Sequence, residues 1–130
     1  MATLKSVGMR WFRENVHEGH SHTQTDVKVS RLYAPGEAWT KSASWWIDVP
    51  SYVINESFPD HVHFLCEKQK EAEDFYHLKI PKALLMAAAG SGTVSVTKSG
   101  ILRFYLSATA GNRFVDLRGD GRLDLRPFVQ

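Results

Sequence analysis

Histidine is the residue type best placed to do chemistry here. Three of the six fall in His17-x2-His20-x-His22, inside the polar run HEGHSHTQT, and two more in His61-x-His63, with Glu67 following. Neutral imidazoles this close in a glycine-containing loop can meet one borderline divalent ion, zinc or nickel, with Glu14 or Glu18 completing the set. In the second set, alternation along a strand puts His61, His63, Leu65 and Glu67 on one face and turns Val62, Phe64 and Cys66 to the core. Without a metal, the first set reads as a solvated loop and the second as a wet strand face. No other cofactor is expected.

The spacing His61-x-His63-x3-Glu67 resembles the first half of the cupin metal motif, over seven residues. This resemblance implies a metal held in a β-barrel, and a metal-dependent enzyme with those three residues as ligands. Asn55 and Asp74 stand where the family has flanking glycines. The second half of the motif, a glycine-proline stretch and then a histidine, has no counterpart, because His77 is too near.

Basic groups interleaved with aromatic ones offer another chemistry: Trp39, Lys41, Trp45, Trp46, Lys68, Lys70, Lys79, Lys82, Arg103, Tyr105, Arg113, Arg118 and Arg122. On a curved sheet such cations hold phosphates while an exposed ring stacks on a base. Lys68, Lys70, Lys79, Lys82 and Arg103 are the expected phosphate contacts, and Trp39 the expected stacking ring. Lys79 and Lys82 flank Pro81 at a strand-to-helix junction, where a helix start offers N–H groups to an anion. Trp45 and Trp46 must point to opposite faces, so one belongs to the core. The net charge is only +2, with ten Lys and Arg against seven Asp and Glu in residues 66–130. This excludes a strongly basic nucleic-acid binder and leaves room for a modest one.

Other chemistry has less to stand on. Asp116, Asp120-Gly121 and Asp124 follow a calcium loop in part, but Arg118 takes loop position three and Pro127 the closing position. Cys66 is the single cysteine, which fits a reducing compartment, and its parity is opposite to that of His61 and His63, which excludes a thiolate–imidazole pair on that strand. No nucleophile elbow, P-loop or dinucleotide fingerprint is present.

The elements that must position these groups follow from periodicity. A helix is predicted over 7–16, strands over 26–33, 42–50, 61–67, 75–81 and 101–108, and a helix from Lys82 that Gly90 ends. A short strand surrounds Val94 and Val96, and a glycine-turn hairpin is expected about Asp120. Aligning WIDVPSYVIN with HLKIPKALLM sets Ile47 on Leu78 and Pro50 on Pro81, so a strand–proline–helix unit occurs twice. We expect one domain over 1–130: a helix and His-rich loop (1–24), two ββα-like units (25–90) and C-terminal antiparallel strands (91–130). The fold class is α+β, a mostly antiparallel curved sheet or partly open β-barrel of about eight strands with two or three short helices. Without a long apolar run or signal-peptide core, the expected location is cytoplasmic, with no membrane partner. The leading functional expectation is a small binding module for nucleic acid. The others are the metal-dependent barrel enzyme and a homo-oligomeric or protein-interaction subunit using the Trp-rich strand.

Overall fold

A computed structural model describes residues 3–16, 27–36, 42–56, 60–118 and 123–130. Among them are three α-helices and seven strands in two sheets. The class is therefore α+β, and the sheets do not close into a barrel.

Helix α1 (Leu4–Asn15) starts where the Thr3 hydroxyl accepts a hydrogen bond from the Ser6 N–H at 3.1 Å, satisfying one of the donors a helix start leaves over. It buries Val7, Gly8, Met9 and Phe12. That face lies on a three-stranded sheet of β1 (Val27–Ser30), β4 (His61–Glu67) and β5 (Phe75–Pro81), in the order β1-β4-β5. Gly8 brings the helix close: a β-carbon there would come within 2.6 Å of the Val29 side chain. Strand β1 runs parallel to β4, with Val27 opposite His63, a departure from the antiparallel expectation.

The second sheet is antiparallel throughout and orders β2 (Leu32–Tyr33), β3 (Ser44–Pro50), β7 (Ile101–Ser107) and β6 (Ser95–Val96) as β2-β3-β7-β6. Its inner side chains, among them Trp45, Ile47, Leu102 and Phe104, meet Val62, Phe64, Leu78 and Ile80 of the first sheet in one core. The strand expected over 26–33 is cut at Arg31, where the chain leaves one sheet for the other. Side chains complete the broken ladder there. The Leu32 N–H donates to Glu67 Oε1 at 2.9 Å and the Trp46 N–H to the Ser30 hydroxyl at 2.9 Å.

Both strand–proline–helix junctions are present, with Pro50 before α2 (Ser51–Asn55) and Pro81 before α3 (Lys82–Ser91). Each proline is the extended residue that caps the helix rather than its first helical residue. Helix α3 runs past Gly90 and ends on Gly92, whose left-handed φ of 77° suits a residue without a β-carbon. The turn of the closing hairpin expected about Asp120 lies outside the described residues; its arms meet in an antiparallel bridge of Val115 to Asp124, Leu106 bridges to Asp116, and a 3-10 turn (Arg126–Phe128) follows. Asp116 anchors this segment. Its fully buried carboxylate accepts N–H groups from Tyr105 and Arg118, which ties the segment to β7. The edge of β5 is covered by the last residues, through a Leu78–Val129 bridge and a Gln130 N–H bond to the His77 carbonyl.

Candidate functional site

Strand β4 carries the groups flagged for metal chemistry, and its second face is not wet. It is the central strand of its sheet, with α1 over one face and the other sheet under the opposite one. Every residue from Val62 to Glu67 is buried. His63 is fully buried and places Nδ1 2.8 Å from Nε2 of His77 on β5. The Phe12 ring stands edge-on to both imidazoles, with centroids 4.9 and 5.7 Å away.

His61, His63 and Glu67 share a face but do not converge. Two residues of strand advance the chain by about 7 Å, so His61 and Glu67 sit about 20 Å apart along it. Among the described residues no three His, Cys, Asp or Glu side chains are placed to hold a metal ion. Glu67 instead works at the sheet junction: besides Leu32, it accepts the Glu71 N–H on Oε2 at 3.2 Å, and its carbonyl takes the Trp45 indole N–H at 2.9 Å. Of the calcium pattern, Asp116 is taken up as described above and Asp124 binds Arg126 at 2.7 Å, a contact that lowers the Asp124 pKa. Burial drives the Cys66 thiol well above its ordinary range and leaves it inert as a nucleophile. His17, His20, His22, Trp39, Asp120 and Gly121 lie outside the described residues.

The expected phosphate contacts do not form one surface. Lys68 and Lys70 stand at the β4–β5 turn, where Lys68 pairs with Asp74 at 3.5 Å and lies over the Tyr76 ring. Lys79 is half-buried on β5 opposite His63. Lys82 is buried at the start of α3, its ammonium donating to the Glu56 carbonyl at 3.4 Å. Arg103 belongs to the other sheet and holds Asp48 through two hydrogen bonds of 2.9 and 3.1 Å, which raise its pKa further.

What the fold does assemble lies on the outer face of the four-stranded sheet. Trp45 is the core member of its pair, stacked on Phe114 at 5.2 Å. Trp46 points outward and is half-buried between Tyr33 and Tyr105, with centroids 5.4 and 4.5 Å away. Arg118 lies 5.0 Å over the Tyr105 ring and donates to its hydroxyl. Arg103 is on the same face, by the alternation Arg103–Tyr105. Beside Trp46, between α1, β1 and β3, a gap of about 240 Å³ is also lined by Lys5, Lys28 and Asp48. The sequence signals this row through parity alone, since Trp46 and Tyr105 are register partners.

Comparison of the chain with protein-family models, with curated proteins and with solved structures gave no match to any of them.

Proposed function

We propose that this protein is a non-catalytic binding module that takes single-stranded nucleic acid on the outer face of its four-stranded sheet. One observation carries the reading: Trp46 stands between two tyrosines on that face and also walls the gap lined by Lys5 and Lys28. A base stacks on an aromatic surface whatever its identity, and ammonium groups beside the ring meet the phosphates that flank it. Arg118 and Arg103 extend the cationic character along the same sheet, although Asp48 offsets Arg103. The reading keeps Arg103 from the sequence expectation and moves the stacking role to Trp46 and the phosphate role to Lys5 and Lys28. It also fits the use of His63 and Glu67 on β4 as structural partners.

The test is a fluorescence titration with labelled oligo(U) and oligo(dT) at several salt concentrations. Binding with quenched tryptophan emission, and an affinity that falls steeply as salt rises, is the expected result. Absence of binding at low salt, or an affinity indifferent to salt, overturns the proposal.

A further inference from the structure

A second concavity shares no lining residue with the gap beside Trp46. It is an open groove of about 580 Å³ between the start of α1, the Arg31 crossover and the β4–β5 turn. Small-molecule sites usually span roughly 300–1,000 Å³. Its apolar wall comes from Leu4, Val7 and Leu32, and its charged wall from Arg31, Glu67 and Glu71.

Two of these charges are unspent. Neither the Arg31 guanidinium nor the Glu71 carboxylate bonds to another side chain among the described residues, and they do not pair with each other across the groove they both line. Lys70 and Glu73, also at the rim, have partners of their own, Glu73 in an ion pair with Arg10 at 3.4 Å. Glu71 is held in place. Its backbone has a left-handed φ of 62°, uncommon for this residue type, and its N–H is anchored on the buried Glu67 carboxylate. That carboxylate accepts one N–H on each oxygen, and each oxygen keeps a lone pair to offer.

A simple anion would meet Glu67 and Glu71 here, and a simple cation would meet Arg31. A ligand carrying both charges satisfies both walls. We infer that the groove binds a small zwitterion with an aliphatic side chain, an amino acid or dipeptide with free ends. Its carboxylate lies on the planar fork of Arg31, its ammonium on Glu67 and Glu71, and its side chain on Leu4, Val7 and Leu32.

The test follows backbone amide shifts of the protein as leucyl-leucine, its N-acetyl form and its C-terminal amide are added in turn. The expected result is saturable shifts at Val7, Leu32 and Glu71 with the free dipeptide, and binding weaker by roughly tenfold or more for either blocked form. Arg31→Gln should abolish the preference over the amide, and Glu71→Gln should reduce the preference over the acetyl form. Both changes are at exposed side chains, and the same spectra report whether the fold is kept. Equal binding of all three probes, no shifts at millimolar dipeptide, or a preference that survives both substitutions overturns the inference. Oligonucleotide binding beside Trp46 is measured separately and does not depend on this outcome.

Discussion

His63 and His77 share a hydrogen bond of 2.8 Å inside the layer between α1 and the three-stranded sheet, with Phe12 closing over both rings. One imidazole must donate and the other accept, so the two act as a unit. Replacing His77 by Phe removes the partner of a fully buried polar ring and should cost about 1–3 kcal/mol. The double change His63→Leu/His77→Phe should cost less than the sum of the two single ones, because it also removes the stranded group. Urea midpoints of the four proteins measure this, and additive costs would mean that the hydrogen bond contributes nothing.

Glu67 provides a sharper contrast between structural and metal-ligand roles. Its carboxylate is the acceptor for two backbone N–H groups at the point where the chain changes sheets. Glu67→Ala should destabilise the fold by about 2–4 kcal/mol, and Glu67→Gln, which keeps a carbonyl oxygen, by about half of that. The denaturation curves should not move when a chelator is added. A chelator-dependent loss in the wild type that is absent in Glu67→Ala would restore the metal reading.

The strands 61–67 and 75–81 are legible to the residue, because alternation defines them and Pro81 stops the second. Parity also separates the faces correctly: Val62, Phe64 and Cys66 go to the shared core, and His63 and Leu65 to the other side. It does not say what covers that other side. Polar residues at His61, His63 and Glu67 suggest water, whereas the amphipathic helix beginning at Leu4 packs there. The break at Arg31 shows in the sequence only as a lapse in alternation, Arg31 falling on the apolar side and Leu32 on the polar one, and the switch of sheets itself depends on partners distant in sequence, Glu67 and Trp46. The scatter of Lys68, Lys79, Lys82 and Arg103 is a tertiary outcome too. Composition counts cations but does not place them.

Gly8 sets how closely α1 approaches the sheet. A methyl group there would meet Val29, a side chain with little rotamer freedom, at 2.6 Å. Gly8→Ala would stabilise an isolated helix by about 1 kcal/mol through propensity. Here overpacking should win and destabilise the protein by about 1–3 kcal/mol. Val29→Ala should be harmful alone and should recover part of the loss in the Gly8→Ala background. Thermal melts of the double-mutant cycle decide it, and a stabilising Gly8→Ala would show that the packing there is slack.

Ring and charge on the outer sheet face can be separated by how they respond to salt. Trp46→Ala removes the stacking surface and should weaken oligonucleotide binding by about 1–3 kcal/mol, with the slope of log affinity against log salt unchanged. Trp46→Phe, which keeps a ring between Tyr33 and Tyr105, should recover most of the affinity. Lys5→Gln and Lys28→Gln should each lower the slope by about 1, as expected when one phosphate is no longer neutralised. The combination matters because a generally basic protein would lose slope on any lysine substitution. Lys98→Gln, on the turn between β6 and β7 and away from the gap, should therefore leave the slope as it is. Equal effects of Lys98, Lys5 and Lys28 would mean that binding is diffuse and that the Trp46 gap is not where the strand sits.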